Sequence, residues 1–289
     1  MKLAVIIATY GRSSLVSRTL AHLEQQTRAP DLVIVSAPDA SHLEPFTPSR
    51  YPLRAVFGPP GLTKQRNRGL EALSEPFDIV TFFDDDFLPG RDYLAHVERG
   101  FAEHPEWAAM MGTVIRDGIT GPGLSFEEGV RLLAQAEAGS PGHRVHSQPS
   151  AYGCNMSFRA ASIGSLRFDE RLVLYGWQED VDFSRQVAKR GRIVQLESLL
   201  GLHLGVKSGR TSGVRFGYSQ VVNPIYLMRK GTVPASVALA QMGRNLAANI
   251  VKSLRPEPFV DRRGRLRGNI MAAADVLRGR IDPEHVLSL

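Results

Sequence analysis

A single cysteine, Cys154, occurs in 289 residues. An internal disulfide is therefore excluded, and such sparing use of cysteine fits a reducing compartment. No stretch approaches the roughly 18 consecutive apolar residues that a membrane span requires. The apolar run at the start, Leu3 to Ala8, is short for a signal peptide, no cleavage site follows it, and Thr9-Tyr10-Gly11-Arg12 reads as a loop ending a strand. The expectation is a cytoplasmic protein. Internal repeats and low-complexity tracts are missing as well. Aromatics are only 8% of the chain, and in the basic C-terminal part they do not interleave with the cations as a nucleic-acid stacking platform requires.

What is present is ordinary globular composition, 43% hydrophobic and 22% charged. The length suits one large domain, or one domain with an extension. Net charge is +6 but unevenly spread: residues 203–289 hold 14 Lys/Arg against 5 Asp/Glu. That tail suits an anionic membrane or a phosphorylated partner, or else is a solvated basic surface.

Strand and helix patterns alternate through the first hundred residues. Residues 2–8, 32–35, 53–57 and 77–83 read as strands. A helix capped by Ser13 or Ser14 and carrying Val16, Leu20 and Leu23 on one face is expected, and residues 63–74 and 91–103 also read as helices. This alternation argues for a parallel α/β sheet, whose site lies beyond the carboxyl ends of the strands. Thr9–Arg12, Ser36–Asp39 and Asp84–Asp86 all occupy that position. Residues 117–150, rich in Gly, Pro and Ser, read as an insertion over one edge of the site, with a helix at Phe126–Glu137. A helix is expected over 180–190, a short strand over 193–196, and a mobile glycine-studded loop over 201–217. Beyond Pro234, Leu239, Met242, Leu246, Ile250 and Leu254 form a helical stripe. Such a stripe either packs on its own domain or lies on a membrane surface.

Two acidic clusters carry the chemistry. Asp84-Asp85-Asp86 follows the apolar run Ile79-Val80-Thr81-Phe82-Phe83. Carboxylates at a buried strand end repel and are costly to desolvate, and a divalent cation is the usual remedy. On an extended strand end Asp84 and Asp86 face one ligand while Asp85 faces elsewhere. The second cluster, Glu179-Asp180-Val181-Asp182, follows Tyr175-Gly176-Trp177-Gln178 and offers a general base beside an aromatic suited to sugar. Acids at a helix N-terminus also have a purely structural reading. His203 is a candidate third metal ligand or a structural histidine. Lys64, Arg66 and Arg68 are within reach of a diphosphate on the same footing as a solvated helix face.

These pieces resemble the family-two inverting glycosyltransferases of the GT-A fold. The resemblance runs from Leu3 to about His203. It rests, in order, on Ala8-Thr9-Tyr10-Gly11-Arg12, Gln65-Arg66-Asn67-Arg68-Gly69, Phe83-Asp84-Asp85-Asp86, Gly153-Cys154-Asn155-Met156-Ser157-Phe158-Arg159, Phe168-Asp169-Glu170, the segment from Gly176 to Phe183, and His203. It implies a mostly parallel central sheet flanked by helices, a transferase domain over 1–215 and a basic, mainly helical extension over 216–289. It implies that Thr9, Tyr10, Arg12, Asp39, Arg66, Asp84 and Asp85 serve the nucleotide-sugar donor. Asp86 and His203 would hold Mn²⁺ or Mg²⁺. Asp180 would be the base, with Glu179 beside it. Trp177, Asn155 and Met156 would serve the acceptor side, Trp177 as platform.

The implied reaction is a single displacement in which an acceptor hydroxyl attacks the anomeric carbon and configuration inverts. One departure concerns the second strand, where an acidic pair usually contacts the base. Here the sequence is Val35-Ser36-Ala37-Pro38-Asp39, so UDP-, dTDP- and GDP-sugars all stay open. The expected acceptor is a saccharide or a lipid-linked saccharide in polysaccharide or glycolipid assembly, with the basic C-terminal region resting on the inner face of the plasma membrane. The rivals are a sugar-nucleotide nucleotidyltransferase and a catalytically silent sugar-nucleotide or carbohydrate-binding module. Residues 207–210 and 215–218 form an expected loop over the diphosphate, with Arg210 as its test position.

Overall fold

In the computed structural model, which describes residues 1–139, 142–208 and 211–289, the chain runs β1 (Leu3–Ala8), α1 (Ser13–Leu23), β2 (Leu32–Ala37), β3 (Leu53–Phe57), α2 (Leu62–Glu71), β4 (Ile79–Asp84), β5 (Phe87–Pro89) and α3 (Tyr93–Glu103). It continues through β6 (Trp107–Asp117), α4 (Phe126–Glu137), β7 (Val145–Gln148), β8 (Asn155–Arg159), α5 (Ala160–Ile163), α6 (Glu179–Val187) and β9 (Arg192–His203). It closes with α7 (Gly213–Lys230), α8 (Ala235–Leu254) and α9 (Arg262–Leu277). The chain divides into two compact units. The first comprises residues 1–60, 64–167 and 186–209, and the second 61–63, 168–185 and 210–289. This division differs from the sequence boundary near 215, because residues 168–185 group with the C-terminal helices.

The first unit holds a nine-stranded sheet of order β3-β2-β1-β4-β8-β6-β9-β5, with β7 on β9. The β3-β2-β1-β4 half is parallel. Its strands β1 and β4, LAVIIA and IVTFFD, are largely apolar and buried, the pattern of strands covered on both faces. Val16, Leu20 and Leu23 of α1 and Val97 and Phe101 of α3 join Leu3, Val5, Ile7 and Phe83 in one core. The other half is mixed: β8 runs antiparallel to both β4 and β6, whereas β6 and β9 are parallel. The expected helix at Phe126–Glu137 is present and covers Leu88, Leu202 and Leu204.

Three local expectations are corrected. Neither serine caps α1: the N-cap position is Arg12, without a side-chain hydrogen bond to the helix. The strand expected over 193–196 extends to His203, because three successive partners (β6, β7 and β5) satisfy its backbone. The segment 201–217 is not a loop throughout, since 201–203 complete β9 and Gly213–Gly217 open α7.

In the second unit α7, α8 and α9 pack on one another. Tyr218, Val221 and Val222 meet Ala272 and Val286, while Leu172, Leu227, Val233 and Ala238 form a second cluster. Between the helices lies a polar knot. The buried Asn249 amide donates to Gln220 Oε1 and Asn269 Oδ1, both at 2.8 Å, and its carbonyl accepts from Arg262. Asn269 in turn donates to the Gly217 carbonyl at 2.7 Å. A buried acceptor left without its donor costs the full desolvation penalty, about 1–3 kcal/mol. Asn249→Ala strips two acceptors of one donor, so a loss of about 2–4 kcal/mol is expected, read as a lowered urea midpoint with unchanged slope.

Candidate active site

The site is built where the strands end. Asp84 is the last residue of β4, and Asp85-Asp86 form the two-residue turn into β5. Because β5 pairs with the end of β9, Phe87 opposite His203, the turn delivers Asp86 to the histidine. His203 also pairs with Asp117, the last residue of β6. The C-terminal ends of β4, β6 and β9 thus meet in one place.

Asp84, Asp86 and His203 form a cluster whose ligand atoms all lie within 4.8 Å of one another. His203 Nε2 is 3.2 Å from Asp86 Oδ1 and 4.0 Å from Asp84 Oδ2. A small divalent ion with bonds of about 2.1 Å needs ligand atoms about 3–4.2 Å apart. Two hard carboxylates and one imidazole at this spacing fit such an ion with little closure. The second nitrogen of His203 faces Asp117 Oδ1 at 2.9 Å, and Asp117 Oδ2 accepts from Tyr152 at 2.8 Å. A carboxylate behind a ligating histidine fixes the ring and raises its basicity.

Asp85 points the other way. It accepts from Thr9 Oγ1 and from Arg12 Nη1, both at 2.7 Å. Arg12 also reaches Asp86 Oδ2 at 3.6 Å and donates to the carbonyls of Val206 and Ser208. Thr9 and Arg12 are therefore committed to holding the aspartate turn and the segment after β9. That segment is tied down further. The Val206 N–H donates to Asp86 Oδ2 at 2.8 Å, and Lys207 donates to the carbonyls of Gly118 and Ile119. Arg210 lies outside the described residues.

Opposite charges are distributed so that each acid has a cation. Burial pushes the Asp84 carboxyl up, with Arg66 and His203 pulling against it. Arg66 Nη2 donates to Asp84 Oδ1 at 3.0 Å and to the Gly153 carbonyl at 2.8 Å. Burial also pushes Asp85 up, opposed by Arg12. For Asp86 burial is outweighed by the His203 hydrogen bond and by Arg12, and its carboxyl is held low. Burial disfavours an imidazolium at His203, yet the hydrogen bonds to Asp117 and Asp86 prevail and push it up to about 10.

The remaining candidate residues fall in several settings. Tyr10 is half exposed, its ring 5.0 Å from that of His42. Asp39 accepts from the Ser41 N–H and hydroxyl, which commits it to the turn after β2. Asn155 and Met156 are wholly buried in β8, opposite Phe83 and Phe82 of β4. The carboxamide oxygen of Asn155 has no hydrogen-bond partner among the described residues. In the second unit, Glu179 and Asp180 open α6, and Asp180 Oδ1 accepts from the Val181 N–H at 2.8 Å. The turn before them holds Leu174, Gly176 and Gln178 at positive φ, unusual for the two non-glycines. Trp177 packs edge-on against Phe216 with ring centroids 5.1 Å apart.

Two roles escaped the sequence reading. Asp117 is the ring partner of His203, and its only sequence signal was an acid at the end of a partly apolar stretch from Trp107. Gln65 donates to the carbonyls of Thr9 and Ser36 at 2.8 and 2.7 Å, clamping the ends of β1 and β2. Gly118, next to Asp117, leaves no room for a side chain, since a Cβ there would meet the Leu204 carbonyl oxygen at 1.9 Å. Gly118→Ala must separate the Asp117 turn from the segment after His203. The expected cost is about 1–3 kcal/mol, measurable as a lowered urea midpoint.

No protein-family model and no curated protein sequence matches the chain. Solved structures do. S. aureus TarS 1-349 superposes with a TM-score of 0.57 at 15% identity, over 99% of this chain and 82% of that one. The mannosyltransferase PcManGT from Pyrobaculum calidifontis, in complex with GDP-Man and Mn²⁺, gives 0.51 at 17% identity over 96% and 81%. GalNAc-T7 with UDP, GalNAc and Mn²⁺ gives 0.53 at 11% identity over 96% and 58%. These neighbours are GT-A-type glycosyltransferases, and the chain has the GT-A fold.

Proposed function

We propose that the protein is an inverting glycosyltransferase that uses a nucleotide-diphosphate sugar and a divalent cation, Mn²⁺ or Mg²⁺. The observation that carries this reading is the Asp84–Asp86–His203 cluster at the carboxyl edge of a GT-A sheet. The similar structures hold UDP-GlcNAc, GDP-Man with Mn²⁺, and UDP with Mn²⁺, which supports a sugar-nucleotide donor.

Asp84, Asp86 and His203 would hold the cation, which when bound neutralises charge on the departing diphosphate. Asp117 keeps the His203 ring in place. Arg12, through Asp85 and the carbonyls of Val206 and Ser208, fixes the turn that carries Asp86. The exposed ring of Tyr10, backed by the partly buried His42, offers a face for the base. In the second unit Asp180 is the base, assigned from the sequence pattern and its place in the first turn of α6. Its carboxylate takes the proton of an acceptor hydroxyl. The acceptor oxygen bonds to the anomeric carbon as the bond to the diphosphate breaks, and configuration inverts once. Trp177 gives the acceptor an aromatic face, and a saccharide or lipid-linked saccharide matches it.

One observation favours a second reading. Arg12, Arg66 and a protonated His203 already face the four aspartates, so without an added ion the cluster carries only one uncompensated negative charge. That suits a metal-independent transferase or a silent sugar-nucleotide binder.

A thermal-shift series with UDP, GDP and dTDP, each with Mn²⁺ and with EDTA, separates the two. One nucleotide is expected to stabilise the protein only with metal, and Asp86→Asn to abolish that shift. A shift indifferent to both EDTA and Asp86→Asn would sink the metal assignment. Asp180→Asn is expected to keep the donor shift while transfer falls about 10²–10⁴-fold. Retained transfer in that variant removes Asp180 as the base.

A further inference from the structure

The sequence stripe on α8 leaves two options open, packing on its own domain or lying on a membrane. The structure separates its members. Ala238 and Asn249 face the neighbouring helices and are buried, and Met242 is partly buried. Leu239, Leu246, Ile250, Val251 and Leu254 are exposed, Leu254 by 80%. With 3.6 residues per turn they share an arc of about 140° and a length of about 24 Å. Ala240, Gly243 and Ala247 fill the same arc, which contains no charged residue. On α9, Ile270 and Leu277 are exposed by 62% and 88%. An apolar face this long and continuous is unusual on a soluble surface.

Its border is cationic. Arg244 and Arg255 lie along one edge of the α8 arc. At the other edge Ser253, through its carbonyl, accepts from Arg263 of α9, with Arg267 one turn further on. All four of these arginines are exposed. Residues 235–280 hold nine Lys/Arg and three Asp/Glu, an excess equal to the net +6 of the whole chain. The three acids are engaged. Glu257 pairs with Lys252 and Arg262, Asp261 caps α9, and Asp275 accepts from Tyr218.

We infer that the exposed face of α8, with Ile270 and Leu277 of α9, seats on an anionic lipid bilayer. The apolar arc enters the headgroup–acyl boundary while the bordering arginines reach the lipid phosphates. Charge decides between this occupant and a second copy of the chain. Two-fold pairing of the face sets its arginines against the same arginines, with no free carboxylate to meet them. A bilayer rich in anionic lipid supplies the missing charge. The inference does not depend on the catalytic reading.

Co-sedimentation of the full chain with phosphatidylcholine vesicles, with and without phosphatidylglycerol, tests it. Binding is expected to the anionic vesicles and to weaken with salt. The triple variant Arg244→Gln, Arg263→Gln, Arg267→Gln should bind them on the order of 100-fold more weakly, at about 1 kcal/mol per cation. Leu246→Gln with Ile250→Gln should lose binding by more than about tenfold. Both alter exposed side chains, and unchanged thermal melting checks that the fold persists. Absence of binding to anionic vesicles, or equal binding by the variants, overturns the proposal. So does a wild-type dimer that Leu246→Gln with Ile250→Gln makes monomeric, because the face then serves a second copy.

Discussion

A carboxylate taken out of water has to be met by charge or by donors, and this chain sets three consecutive ones, Asp84 partly and Asp85 and Asp86 fully buried, at the end of a buried strand. Much of the first unit can be read as the answer. The turn after β4 splits the triplet, sending Asp85 to Thr9 and Arg12 and leaving Asp84 and Asp86 with His203. The hydroxyl of Thr19 on α1 secures the turn through the Asp85 carbonyl. Arg66 comes up from α2, buried to within 2% of full enclosure, because a guanidinium carries several donors on one rigid plane. β9 is long because it must reach Asp86 and Asp117 together. Removing any one of these cations leaves a buried charge without its partner, a larger loss than the pair itself contributes.

The parallel half of the sheet was legible because its physics is local. Strands buried on both faces are apolar over most of their length, and so are β1, β2 and β4, whose few polar residues are Ser36, Thr81 and Asp84. Asp84, Asp86 and His203 were legible as residue types able to share a cation, and the strand-end position gave them a place. The antiparallel strands β6 and β8 were not read as strands. β6 ends in a stretch that is only partly buried, and β8 mixes Asn, Ser and Arg with its apolar residues, so neither shows one clean period. Asp117 was hidden for the same reason. The roles of Gln65, Thr9 and Arg12 were out of reach in another way. Each is a long-range hydrogen bond, and no spacing in the chain announces that a glutamine in one helix will clamp the ends of two strands.

The helical stripe of α8 shows a limit of periodicity as evidence. An amphipathic pattern states that one face differs from the other, not that the apolar face finds protein. Here the face toward α7 and α9 is polar at its centre, with Asn249 satisfied by Gln220 and Asn269, while the larger apolar side chains look outward. The polar knot fixes the register of the three helices, since a slip by one residue would strand its donors and acceptors. Hydrophobic contacts alone would tolerate such a slip.

The same helices bear on the turn before α6. Leu174 and Gln178 hold positive φ, which costs about 1–2 kcal/mol for each non-glycine residue. Such a turn persists only if its surroundings over-determine it. They do. The Leu174 carbonyl accepts from the Leu62 N–H, the Trp177 carbonyl from Asn223 of α7, and the Gln178 side chain reaches Gln241 of α8. Lys230, at the end of α7, bridges Asp169 and Asp182 on either side of the turn. The C-terminal helices are thus the frame that holds Glu179 and Asp180 at the start of α6. If α8 rests on a bilayer, the surface that receives the protein also steadies the helix on which the turn before Asp180 depends. Lipid binding would then act on Glu179 and Asp180 through packing already present within the second unit.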